Sequence, residues 1–280
     1  MAKPKPLESA KIKLSVALAT FNEEKCLSDC LGSVEGLADE IVVVDGSSTD
    51  KTAEIAKSFG AKVIVTDNKL LFHLNKQQAI DECKGEWILQ LDADEVVTPE
   101  LAEEIKKVTD GHPPAGRPTV DDAYWVKRRK MFLGQWMKKG GQYPDPVIRL
   151  FRKGKASLPC ESVHEQMEVD GKVGWLENHL LHFPTPSFSV YITKDNRYST
   201  LSAMEMREKK LPLTLFTTMI YIIVVPLKIF FSIYIWHKGF LDGFPGFVFA
   251  FYSGLHQMTA YIKYWEMKKQ GKNEIEKDWV

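Results

Sequence analysis

Three apolar runs in the first half of the chain each stop at a knot of polar side chains, and this pattern constrains the fold most. Residues 12–19 run into Thr20-Phe21-Asn22-Glu23-Glu24. Residues 40–44 run into Asp45-Gly46-Ser47-Ser48-Thr49-Asp50, and residues 86–91 into Asp92-Ala93-Asp94-Glu95. The runs are short, and the second is almost wholly β-branched, as expected of strands buried on both faces. Helical patterns lie between them. Leu27, Leu31 and Val34 share one face, a second helix over residues 51–59 stops at Gly60, and a third over residues 73–84 turns Ala79, Ile80 and Cys83 inward. Thr98-Pro99-Glu100 has the cap, the N1 proline and the first-turn acid of a further helix start. Strand and helix alternating at this spacing predict an α/β fold with a mostly parallel sheet. Ligands of such sheets bind outside the carboxyl ends of the strands, where all three polar knots fall.

The knot at Asp92 puts three carboxylates within four residues. Like charges that close repel, and a bound divalent cation relieves the repulsion. Asp94 is therefore read as a ligand of Mg²⁺ or Mn²⁺ bridging a diphosphate, flanked by Ala93. Asp92 is read as holding a ribose or assisting the metal, and Glu95 as a cap on the next segment. Asp45, ahead of a Gly-Ser-Ser turn, can accept from a nucleobase or ribose, or form an Asx turn. Glu23 has a similar pair of readings, donor contact or first-turn helix acid. Lys76 can reach a phosphate from its helix, or is a plain surface lysine.

The 37 Lys and Arg balance the 37 Asp and Glu, which argues against a general nucleic-acid binder. Locally the balance fails. Between residues 127 and 155 there are ten Lys and Arg against one acid, Asp145. Such a band suits phosphates or an anionic lipid surface, or protects a strand edge. Cys26, Cys30, Cys83 and Cys160 show no metal-ligand spacing and read as reduced thiols of a cytosolic compartment. No export signal is visible in the N-terminal residues.

Residues 187–210 have the pattern of an amphipathic helix with Tyr191, Tyr198, Leu201 and Met204 available for packing. Residues 211–236 are almost wholly apolar, and residues 247–265 are rich in aromatics. Pro226 and Lys228 are expected to break the first of these into pieces suited to an in-plane or re-entrant element. Monotopic association with a membrane surface follows, against a true span or a helical dimer interface. The expected organisation is a flexible tail over residues 1–10, a catalytic domain over residues 11–186 and a helical, membrane-associating region over residues 187–280.

Residues 14–24, 41–52 and 85–95 resemble the family 2 glycosyltransferases of GT-A fold, a Rossmann-like sheet flanked by helices. The later segments Gly140-Gly141-Gln142-Tyr143-Pro144-Asp145, Arg149-Leu150-Phe151-Arg152, Val163-His164-Glu165 and Leu181-His182-Phe183 resemble the lipopolysaccharide core β-1,4-glucosyltransferase subgroup. Gln142 stands where that subgroup often has Trp. The resemblance implies inverting transfer from a nucleotide-diphospho-sugar to a lipid-linked or glycan acceptor, at the cytoplasmic face of the plasma membrane. It implies Thr20, Asn22, Glu23, Asp45, Ser47, Lys76, Asp92, Ala93 and Arg149 as donor contacts, and His182 beside Asp94 at the metal. The transfer needs a base, and Glu165 is preferred to Asp145. Strand alternation allows only one of Arg149 and Arg152 to face the site. An acceptor that is already an anion, such as a polyprenyl phosphate, would need no base. A sugar nucleotidyltransferase is disfavoured because no glycine follows the first strand. A non-catalytic adaptor is disfavoured by the acids at all three strand ends.

Overall fold

The structure is a computed structural model that describes residues 12–69, 71–161 and 165–271. The tail over residues 1–10 and the pair Val163-His164 lie outside the described residues. The chain divides into two compact units, one of Met1–Arg128 with Asp145–His182 and one of Arg129–Pro144 with Phe183–Val280.

The first unit begins with the expected alternation. β1 (Leu14–Thr20), α1 (Leu27–Gly32), β2 (Glu40–Asp45), α2 (Thr52–Ser58), β3 (Lys62–Val65), α3 (His73–Asp81) and β4 (Trp87–Leu91) follow in order. β5 (Glu95–Val97), α4 (Pro99–Thr109), β6 (Ala123–Phe132), β7 (Gln135–Trp136), β8 (Asp145–Arg152), β9 (Ala156–Ser157), β10 (Glu168–Val169) and β11 (Val173–Thr185) come next. The sheet order is β3-β2-β1-β4-β8-β6-β11-β5, with β7 on β6 and a separate β9/β10 pair. β1 to β4 are parallel to one another, whereas β8, β6 and β5 join by antiparallel pairings. The result is a Rossmann-like GT-A sheet, parallel in its first half and mixed beyond β4.

The strands are apolar because both faces are covered. Leu14, Val16, Leu18, Leu89 and Leu91 pack with α1 and α4 residues Leu27, Leu31, Leu101 and Ile105. Ala17, Val42, Val44 and Ile88 face Ala79, Ile80 and Cys83 of α3. Each large side chain buried in this way contributes roughly 1.5–3 kcal/mol. Thr98 caps α4 as the sequence predicts, its Oγ1 accepting from Leu101 N at 3.3 Å. Gly85 is required by close approach: a Cβ there would lie 2.7 Å from the backbone N of Ser15. All four cysteines are free thiols. Parallel registry sets Thr20 beside Asp45 and Leu18 beside Leu91, so the three polar knots share one edge of the sheet.

In the second unit, α5 (Phe188–Glu208) is capped by Ser187 and buries Ser199, Ala203 and Met206. Tyr198, expected to pack, is 55% exposed; the small side chains instead let the neighbouring helix Gly243–Gln270 approach. That helix contributes His256, whose Nδ1 lies 2.7 Å from Asp195, and Lys263, whose ammonium donates to Ser199, Thr200 and Asn196. Residues Leu215–Trp236 form one continuous helical run, which corrects the expectation that Pro226 and Lys228 break it. Two π-turns, Ile220–Val224 and Ser232–Trp236, flank the proline. The wider winding of the first, which contains the residue four before the proline, makes room for a ring that would clash with a preceding carbonyl and for a residue with no N–H to give. The run meets the long helix at Gly254, where a Cβ would come 2.7 Å from the Pro226 carbonyl oxygen. It is apolar and long enough to cross a membrane, and none of its most apolar stretch is buried.

Candidate active site

The first knot and the second interlock. Asp45 is buried, and its carboxylate accepts from Thr20 Oγ1 at 3.2 Å, from Ser48 Oγ at 2.5 Å and from Ser48 N at 2.8 Å. The Asx-type turn that it forms orders the loop rather than leaving a bare carboxylate. Asn22 sits at φ 55° and Ser47 at φ 63°, both in the left-handed region. Asn22 Oδ1 accepts from Thr49 N at 2.8 Å, and Ser48 Oγ accepts from Asn22 N at 2.9 Å. Glu23 N donates to Thr52 Oγ1 at 2.8 Å, and Ser47 Oγ donates to the Thr66 carbonyl at 2.8 Å. Thr20, Asn22, Glu23, Asp45 and Ser47 are thus brought together at one strand edge.

The third knot is the centre of a chain of alternating charges. Lys76 from α3 lies 2.5 Å from Asp92 Oδ1, and Arg149 from β8 lies 2.7 Å from Asp92 Oδ2. The same Arg149 nitrogen lies 2.8 Å from Glu95, while its other terminal nitrogen donates to Gln90. Arg128 from β6 bridges Glu95 at 3.2 Å and Asp145 at 2.8 Å. Glu95 is fully buried and its second oxygen accepts from Asp92 N at 3.0 Å. Three cations therefore neutralise three carboxylates. Burial pushes the Asp92 carboxyl upward, but the charges of Arg149 and Lys76 outweigh it and hold the group well below the usual carboxylate range. Arg149 is desolvated too, and the charges of Asp92 and Glu95 leave its guanidinium raised above its ordinary value.

Sequence reasoning took Glu95 as a cap and left Arg128 unassigned. Both carry a readable signal. Glu95 shares a strand face with buried Val97, and Arg128 shares one with buried Tyr124 and Val126. Arg152 takes no part; it pairs with Glu86 at 3.0 Å and lies over Trp87.

Asp94 lies near a histidine of β11. Antiparallel pairing of β11 with β5 sets His182 opposite Glu95, which brings His182 Nε2 to 3.7 Å from Asp94 Oδ1. His182 Nδ1 is buried without a hydrogen-bond partner among the described residues, so nothing on that side fixes its tautomer. A carboxylate and an imidazole this close can both touch one divalent cation at typical ligand distances of about 2.1 Å. No group of three or more His, Cys, Asp and Glu suited to a metal occurs among the described residues. The pair fits a cation that takes its other ligands from substrate oxygens and water, as Mg²⁺ commonly does.

The two base candidates differ in setting. Asp145 is held by Arg128 at the start of β8. Glu165 accepts from Cys160 N at 2.7 Å and Glu161 N at 2.8 Å, and lies 3.4 Å from His73 Nδ1. His73 and Lys76 are one turn apart on α3, so Glu165 and Asp92 are each held by that helix.

A sheet whose polar strand ends meet at one edge suits an enzyme that binds its ligand there, and the relatives name the reaction. The glycosyl transferase family 2 model matches residues 15–162, and the chain belongs to that family of glycosyltransferases. An uncharacterized glycosyltransferase of Rickettsia typhi is 30% identical over 95% of this chain and 91% of its own length. The lipopolysaccharide core biosynthesis glycosyltransferase LpsC of Rhizobium meliloti is 32% identical over 86% of this chain and 90% of its own. Among solved structures, S. aureus TarS 1-349 in complex with UDP-GlcNAc aligns over 93% of each chain at 16% identity and a TM-score of 0.47. That likeness is too loose to transfer any residue role.

Proposed function

We propose that this glycosyltransferase moves a sugar from a nucleotide-diphospho-sugar to a lipid-linked or glycan acceptor of the cell envelope, with inversion. The observation that carries the reading is the meeting of the β1, β2 and β4 ends at one polar edge, with Asp94 beside His182. The loops of Thr20, Asn22, Glu23, Asp45 and Ser47 hold the nucleoside, and Ala93 keeps the strand end narrow between two acids. Asp94 and His182 hold Mg²⁺ or Mn²⁺, which when bound neutralises the leaving diphosphate. Lys76 and Arg149 set the position of Asp92 against the donor. The envelope acceptor is supported by the similarity to LpsC and by the exposed apolar helix.

Glu165 takes the acceptor hydroxyl proton. The freed oxygen then attacks the anomeric carbon, and the bond to the diphosphate breaks on the opposite face. Asp145 is the second candidate; Arg128 holds its carboxylate, whereas Glu165 is held by two backbone N–H groups and His73. Glu165→Gln, which keeps the side-chain shape and an acceptor for one of the two backbone N–H groups, is expected to lower kcat by about 10²–10⁴-fold. Asp145→Asn should lower it less than about tenfold, read as nucleoside diphosphate release with a lipid extract as acceptor. The reverse order would make Asp145 the base. Full activity in both would point to an acceptor that is already an anion.

The enzyme acts at the cytoplasmic face of the plasma membrane as a peripheral or monotopic protein. Leu215, Phe216 and Trp236 are between 75% and 83% exposed at the ends of an unburied apolar helix, a surface that water does not favour. Full-length protein should float with liposomes in a density gradient. Recovery entirely in the soluble fraction would refute the membrane reading.

A further inference from the structure

The second unit has one end at which apolar and cationic surfaces are locked together. The run Leu215–Trp236 ends in Trp236, and the following turn exposes Phe240 and Leu241. The strand-turn segment of residues 129–144 is fastened to that turn. Gly140 N donates to the His237 carbonyl at 2.9 Å, and Gln135 Nε2 to the Asp242 carbonyl at 2.9 Å. The buried Asp242 carboxylate accepts from Lys138 N at 3.1 Å and Lys139 N at 2.8 Å. Asp242 is the one acid between residues 215 and 254, and residues 129–144 have none. Its charge is thus used on backbone N–H groups, while the side chains of Lys138, Lys139 and Lys238 stay exposed. Lys138 also lies 5.0 Å from the Trp136 ring, an aromatic–cation pairing suited to headgroup depth.

The opposite end of the helices also carries cations, with Lys269 over the Trp265 ring, but acids lie among them: Glu205 pairs with Lys209 at 3.8 Å, and Glu208 and Glu266 add further negative charge.

We propose that this end is an anionic-lipid docking surface, with Lys138, Lys139 and Lys238 on the headgroup phosphates and Trp236, Phe240 and Leu241 below them. The occupant is the negatively charged bilayer itself, because cations ring an apolar tip and the one nearby acid is turned inward. The inference rests on the membrane reading and adds lipid selectivity and an orientation to it.

The test measures partition of the full-length protein into phosphatidylcholine vesicles and into equimolar phosphatidylcholine–phosphatidylglycerol vesicles, at low and high salt. Each exposed lysine near an anionic surface adds about fivefold, so the mixed vesicles should be favoured by about 100-fold at low salt. High salt should remove most of that preference. The triple variant Lys138→Gln, Lys139→Gln, Lys238→Asn should lose it while still binding neutral vesicles; Asn tolerates the left-handed backbone of Lys238 at φ 58°. Equal binding of the wild type to both vesicles, or an unchanged preference in the triple variant, would overturn the proposal and leave membrane association standing. No binding to either vesicle would overturn both readings, and a stable dimer in the same sample would assign the apolar surface to a second copy of the chain.

Discussion

Replacing Arg149 with methionine is expected to cost about 3–5 kcal/mol of stability, because it strands charge in the protein interior. Arg149 is 6% exposed and serves three acceptors, on Gln90, Asp92 and Glu95. Without it, among the described residues, Glu95 keeps only Arg128 as a cationic partner at no solvent exposure, and Asp92 keeps only Lys76. The loss should appear as a lower denaturant midpoint. The paired variant Arg149→Met, Glu95→Met should be more stable than Arg149→Met alone, since the uncompensated carboxylate is gone. A single variant within about 1 kcal/mol of wild type would show that the charge chain is not a structural unit. The pH dependence has a definite sign. The Asp92 carboxyl is depressed in the folded chain, so its contribution is full above the unfolded value of about 3.9 and fades as pH falls through the folded one. Without Arg149 the depression shrinks, and the acid unfolding transition should move to higher pH.

Asp94→Ala is expected to lower kcat by about 10³-fold or more while leaving thermal stability within about 1 kcal/mol of wild type. Asp94 keeps 22% of its side-chain surface exposed, so its removal disturbs folding less than loss of a fully buried acid such as Glu95 would. Donor turnover should respond to Mn²⁺ or Mg²⁺ in the wild type and lose that response in the variant. His182→Ala should raise the metal concentration needed for half-maximal rate more than it lowers the limiting rate. Undiminished turnover of Asp94→Ala, or a wild type indifferent to chelators, would remove the metal from this pair.

Much of this edge was legible in the sequence because strand ends announce themselves. The β-branched run before Asp45 and the apolar run before Asp92 fixed where β2 and β4 stop, and parallel pairing put those stops together. What was not legible depends on pairings of distant segments. Arg128 meets Glu95 across 33 residues only because β8, β6, β11 and β5 follow one another in the sheet. β5 has three residues and too little periodicity to be read beforehand. The continuous helix through Pro226 was hidden for another reason. Proline rules describe an α-ladder, and the chain changes its winding there.

The contact between Lys76 and Asp92 has a kinetic consequence. A lysine at the rim of a cleft ordinarily samples many rotamers, and an arriving anion must immobilise it, at about 0.5–1.5 kcal/mol. Here Asp92 already holds the ammonium, and the side chain is only 12% exposed. An anion reaching this strand end meets a cation whose freedom was surrendered when the chain folded. Exchange from one negative partner to another then needs a small displacement rather than a search.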